Sequence, residues 1–75
     1  MTYKNVQHYF EHNDLPPATG DEDVDFYEAV DQLIEIIKWE KFEHFDFNYL
    51  VSFLSEHFEV PAHHIEGQYQ RHLRH

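Results

Sequence analysis

The spacing of apolar residues predicts four helices and no sheet. The first covers residues 2–12, where Thr2 is a suitable cap and Tyr3, Val6 and Phe10 share one face. An Asn-Asp pair and two prolines end it, because proline lacks an amide donor and disfavours helix in the preceding residue. No segment shows the sustained alternation of a strand, so we predict an all-α domain.

The longest apolar stripe predicts a second helix over residues 22–40. Asp21 is its expected N-cap, and the acidic residues of the first turn suit the positive end of the helix dipole. The core stripe consists of large apolar residues at helical spacing, namely Phe26, Val30, Leu33, Ile34 and Ile37. Ile36 and Trp39 lie beside this stripe. Either the helix is buried on more than one side, which we favour, or these two form a partner-binding patch.

Residues 41–45 form a short connection, and Asp46 is the expected N-cap of a third helix that extends to about residue 57. Its inward side chains are Phe47, Leu50, Val51, Leu54 and Phe58. Pro61 suits the first turn of a fourth helix. The inner face of that helix contains Ala62, Ile65, Tyr69 and Leu73. Gly67 weakens it by up to about 1 kcal/mol relative to Ala, or else permits close approach of a neighbouring helix.

The 75 residues are enough for one domain, residues 1–75. A domain of this size buries only about 60% of the surface of its unfolded chain, so its core must be rich in large apolar side chains. Seven Phe, five Tyr and one Trp supply much of that mass. The predicted core positions are Phe26, Leu33, Ile37, Leu50, Leu54 and Ile65.

Composition excludes several classes of function. The chain has no cysteine, which rules out disulfides and thiolate metal sites. The apolar runs are too short to span a bilayer and the start lacks a signal-peptide pattern, so we expect a cytoplasmic protein without membrane contact. No paired nucleophile and base and no glycine-rich phosphate loop are present. We therefore expect neither an enzyme nor a bound cofactor.

The charge of the chain is negative and unevenly distributed. The net charge is −10. Residues 1–59 hold three lysines and fourteen acids, or −11, whereas residues 60–75 hold two arginines and one glutamate, or +1. Such a field repels nucleic acid and attracts basic partners, although solubility alone is the competing explanation. The predicted acidic face comprises Asp21, Glu22, Asp23, Asp25, Glu28, Asp31 and Glu35.

This face predicts a small protein-binding module whose partner is a basic protein. The analogy is to acidic nuclease inhibitors and DNA mimics, and it rests on charge and fold alone.

A helix-turn-helix that binds nucleic acid is the first alternative. Between residues 54 and 73, small and apolar residues stand at the positions that such a motif requires: Leu54, Ser55, Phe58, Val60 and Ile65. The second helix would then point polar and basic side chains outward, namely His63, His64, Gln68, Arg71 and Arg74. Only two arginines could meet phosphates, against a strongly negative remainder, so electrostatics argue against this interpretation.

A histidine-based metal site is the second alternative. His8 and His12 frame an H-x-x-E-H pattern with Glu11, which places two imidazoles one helical turn apart. A catalytic zinc site needs a third ligand and a dry cleft, so a solvated helix face is the competing explanation. A looser C-terminal cluster contains His63, His64, His72 and His75. Eight histidines also imply that mild acid removes most of the negative charge.

The segment from Asp46 to Leu54 reads Asp, aromatic, two further residues, aliphatic, then Ser, aromatic and Leu around residues 52–54. It resembles a segment of the YozE-type, SAM-like family of small bacterial proteins, and residues 65–69 fall where that family has a second aromatic and acidic helix. The resemblance covers the C-terminal half. It implies a compact SAM-like fold of four or five short helices, and it carries over no catalytic residue.

Overall fold

The computed structural model describes residues 2–74, which form four helices and two short strands. The helices are α1 (Val6–His12), α2 (Glu22–Trp39), α3 (Phe47–Phe58) and α4 (Ala62–Leu73). The strands are β1 (Thr2–Tyr3) and β2 (Lys41–Phe42). Helices make up 67% of the described residues, which confirms the predicted all-α bundle. His75, part of the C-terminal histidine cluster, lies outside the described residues.

Three helices build the centre of the molecule. Helices α2, α3 and α4 each contact the other two, while α1 lies beside β1. The molecule measures 32 × 29 × 17 Å, so its shortest dimension has room for only two helix layers. Many aromatic side chains are consequently packed on one side and open to solvent on the other.

The N-terminal segment differs from the prediction. Asn5, not Thr2, caps α1, and its side chain accepts a hydrogen bond from the His8 amide. Thr2 and Tyr3 pair in parallel with Lys41 and Phe42, so the expectation of no sheet is wrong here. The backbone amides of residues 43 and 44 extend the contact by donating to the carbonyls of residues 3 and 4. Apolar spacing could not reveal this pairing, because its two halves lie far apart in sequence.

The other helix ends follow local signals. Asp21 accepts hydrogen bonds from the Asp23 and Val24 amides, and Asp46 accepts one from the Tyr49 amide, so both predicted N-caps are confirmed. Helix α3 ends at Phe58, and its C-cap, Glu59, adopts the left-handed conformation with φ 56°. Pro61 stands immediately before α4, with the first helical residue following it.

Most of the predicted core is confirmed. Leu33, Leu50, Leu54 and Ile65 have no exposed surface, and the inward residues of α3 pack on the same cluster. Phe26 and Ile37 are corrections, since both pack on the core but stay half-buried.

The favoured burial of α2 on more than one side is confirmed at Ile36, which is 1% exposed because α2 packs against both α3 and α4. Two other positions depart from the predicted facing. Trp39, in contrast, is 65% exposed. Leu73, predicted inward, is 57% exposed, since Tyr69, one turn earlier, is the last α4 side chain that packs on the core.

Candidate protein-binding surface

Three acidic residues of α2 form a line along the exposed side of the helix. Glu28, Asp31 and Glu35 are three and four residues apart, which places them opposite Leu33. Asp31 and Glu35 are exposed, while Glu28 is half-buried and accepts a hydrogen bond from Gln32 Nε2 at 3.0 Å. We call these three residues the acidic stripe.

Three more acidic residues gather at the start of α2. Asp21, Glu22 and Asp23 are all exposed. The Asp21 carboxylate is engaged as the N-cap, whereas Glu22 and Asp23 line a depression that also contains His64 of α4. Six of the seven predicted acidic residues therefore lie on or near the surface of α2.

Asp25 is the exception and a correction to the predicted face. It is only 4% exposed, and its carboxylate accepts hydrogen bonds from the Thr19 amide at 2.8 Å, the Thr19 hydroxyl at 2.9 Å and the Gly20 amide at 3.0 Å. The hydrogen bond from the Thr19 amide is the largest cause of a lowered pKa for Asp25, and it outweighs the opposing effect of desolvation. This residue anchors the preceding loop and is not available to a partner.

A groove separates α2 from α4. One depression of about 460 Å³ is lined by Phe26, Tyr27, His63, His64, Gly67, Gln68 and Arg71. A second, of about 300 Å³, is lined by Glu22, Asp23, Phe26, Val60, Pro61 and His64. The two share Phe26 and His64 and together form what we call the α2–α4 groove. Tyr27, on its rim, is 63% exposed. Sequence reasoning missed this groove, although Tyr27, an aromatic residue outside the core stripe, was a signal for it.

The residues of the nucleic-acid alternative border the same groove. His63, His64, Gln68 and Arg71 line it, and Arg71 donates to Gln68 Oε1 at 3.5 Å. Arg74 is exposed at the end of α4 and does not line the groove. Glu22 and Asp23 line the same groove beside His64, so phosphates that enter it would also meet carboxylates.

His8 and His12 contact each other, and His8 is also engaged by the backbone. The His8 and His12 rings meet edge to face with centroids 4.7 Å apart, and His8 Nδ1 accepts a hydrogen bond from the Lys4 amide at 3.1 Å. Coordination through the other ring nitrogen would require a proton at Nδ1 and would break this bond. Within residues 2–74, no three His, Asp or Glu side chains form a group that could hold a metal ion.

Aromatic contacts join α1 to α3. Phe10 and Phe53 stack with centroids 4.1 Å apart, and Tyr9 packs edge to face on Phe10. Burial, and to a lesser extent the nearby Glu40 carboxylate, raises the pKa of Tyr9. At the far side of β2, Phe45 is 45% exposed. Many of the aromatic residues in the sequence therefore have a role in packing.

A further hollow of about 460 Å³ lies between α1, α3 and the loop that follows α1. His57 borders it, and His57 Nε2 is 2.8 Å from the Pro16 carbonyl, so this imidazole is engaged in holding the loop. No hydroxyl or thiol side chain lines the hollow beside His57, and its lining is Phe10, Asn13, Asp14, Leu15, Phe53 and His57.

Across residues 2–74, no helix has the length and apolar content needed to cross a bilayer. Comparison of the chain with models of protein families, with curated proteins and with solved structures finds no match. The similarity to the YozE-type family therefore stays a prediction from the sequence.

Proposed function

We propose that this chain is a small acidic module that acts by binding a basic protein rather than by catalysis. The observation that carries the proposal is the acidic stripe, which lies opposite the core of α2 on a chain of net charge −10. Two exposed acids at the start of the same helix, Glu22 and Asp23, extend the negative surface. Such a surface is complementary to the Lys and Arg clusters of nucleic-acid-binding proteins.

The first test identifies the partner. The protein, immobilised through a tag, is incubated with a lysate of its source organism, and captured proteins are identified by mass spectrometry at low and at high salt. We expect a basic protein that is released as salt rises. A nucleic-acid binder would instead be retained on heparin or would change the gel mobility of DNA at low salt. That result would favour the alternative in which α4 binds nucleic acid.

The second test changes the surface. Neutralising Asp23, Glu28, Asp31 and Glu35 together to Asn or Gln should weaken binding of the captured partner and leave the fold intact. Three of these acids are exposed and contribute little to stability, and Gln at position 28 keeps an oxygen that can accept from Gln32. Asp25 is left unchanged because it holds the loop before α2. Unchanged affinity at low salt would remove the acidic surface as the mechanism.

A further inference from the structure

Gly67 occupies a helical position that the fold itself does not require to be glycine. It lies in the interior of α4, its φ is not positive, and a Cβ added to it would have no heavy atom within 4 Å. Glycine weakens a helix interior relative to alanine. Close approach of another helix of this chain, the reason considered from the sequence, does not account for it. The open space belongs to the α2–α4 groove.

The groove wall opposite Gly67 is aromatic. Phe26 packs on the core and Tyr27 projects outward, with their ring centroids 5.6 Å apart. Phe26 and Tyr27 make this wall the apolar part of a groove whose α4 wall is mostly polar. A groove between two helices with one apolar and one polar side is suited to an amphipathic helix. Because position 67 has no side chain, a residue of the incoming helix can reach deeper here than elsewhere along α4.

The charges around the groove indicate the chemistry of the occupant. Glu22 and Asp23 stand at one end, and Asp31 of the acidic stripe is one turn from Tyr27 on the α2 rim. The single permanent cation that lines the described groove, Arg71, is on the α4 side. Lys and Arg side chains of an occupant would therefore be favoured along α2.

We propose that the α2–α4 groove binds one amphipathic helix of the basic partner. An apolar side chain of that helix is seated over Gly67 against Phe26 and Tyr27, and its Lys or Arg residues face Glu22 and Asp23. The inference rests on the proposed function, and it names the part of the surface and the form of the partner.

The test uses three synthetic 14-residue helical peptides: one of Leu and Lys in an amphipathic pattern, one of Leu and Glu in the same pattern, and one of Lys and Gln without apolar residues. Amide shifts of the labelled protein are followed by NMR. We expect the Leu/Lys peptide to change the amide chemical shifts of Tyr27, Gly67 and Gln68. The other two peptides should leave these chemical shifts unchanged. Shifts confined to the acidic stripe, equal for both Lys peptides, would overturn the proposal.

Substitution of Gly67 separates binding from stability. Gly67→Ala should raise the melting temperature by a few degrees, because alanine favours helix and meets no neighbour. The same substitution should nevertheless lower the affinity for the Leu/Lys peptide. Gly67→Leu places a large side chain in the groove and should lower the affinity for the Leu/Lys peptide about tenfold or more. Gln70→Ala, an exposed change on α4 that does not line the groove, is the control with unchanged affinity. Full affinity in Gly67→Leu would overturn the proposal.

The two proposals fail in different ways. If the quadruple acidic variant loses the captured partner while Gly67→Leu retains it, the acidic surface stands and the groove does not. If both retain it, both proposals are wrong. A second copy of this chain is the competing occupant, so light scattering that shows a dimer broken by Gly67→Leu would also overturn the proposal of a partner helix.

Discussion

Leu33 and Leu50 are completely buried side chains at the centre of the core. Replacing either by Ala leaves a cavity and should lower the free energy of unfolding by about 2–5 kcal/mol. Domains have total stabilities of only about 5–15 kcal/mol, so either variant should show a large loss in chemical denaturation. Trp39→Ala is a suitable control, since that side chain is 65% exposed. A Leu33 or Leu50 variant with the same denaturation midpoint as the wild type would contradict the packing described above.

Asp25 links the stability of the domain to pH. Its pKa is lower in the folded chain than in the unfolded chain, so the ionised carboxylate stabilises the fold above about pH 4, and this contribution is lost as the pH falls further. Asp25→Asn should therefore melt at a lower temperature than the wild type at pH 7, and the difference should shrink at pH 3. Asp31→Asn, on the exposed stripe, should show little difference at pH 7. Equal melting of Asp25→Asn and the wild type at pH 7 would exclude the anchoring role.

At the scale of a helix, the start of α3 depends on one side chain. The Asp46 carboxylate accepts a hydrogen bond from the Tyr49 amide at 3.1 Å. Asp46→Ala should lower the free energy of unfolding by about 0.5–2 kcal/mol. Asp46→Asn should restore most of this loss, because asparagine caps as well as aspartate. Thermal melting of the two variants distinguishes capping from a simple effect of charge, which would leave both equally destabilised.

Helix caps can be predicted from the sequence, whereas contacts between segments cannot. Asp21 and Asp46 were identified because a cap and its helix are adjacent in the sequence. Asp25 was misassigned to the surface, since its burial depends on Thr19 and Gly20 folding back over α2. The groove was missed for the same reason, because periodicity gives the facing of each helix and not the space between two of them.

At the scale of the whole molecule, the net charge should govern the rate of association with the proposed basic partner. The rate constant should fall steeply with salt as the Debye length shrinks from about 10 Å at 0.1 M to about 3 Å at 1 M. Stopped-flow measurements test this trend, with dissociation rates as the internal comparison. A rate independent of salt would argue against electrostatic steering.

The short parallel pairing of β1 with β2 has a consequence for the order of folding. Its partners, Thr2 with Lys41 and Tyr3 with Phe42, are almost forty residues apart along the chain, whereas α3 and α4 are joined by a tight turn. Closing the longer loop costs more conformational entropy and slows the search for contacts. The pair of adjacent helices should therefore form early, and the amino-terminal strand should dock last. In hydrogen exchange, the amides of residues 43 and 44 would then open before those of α3.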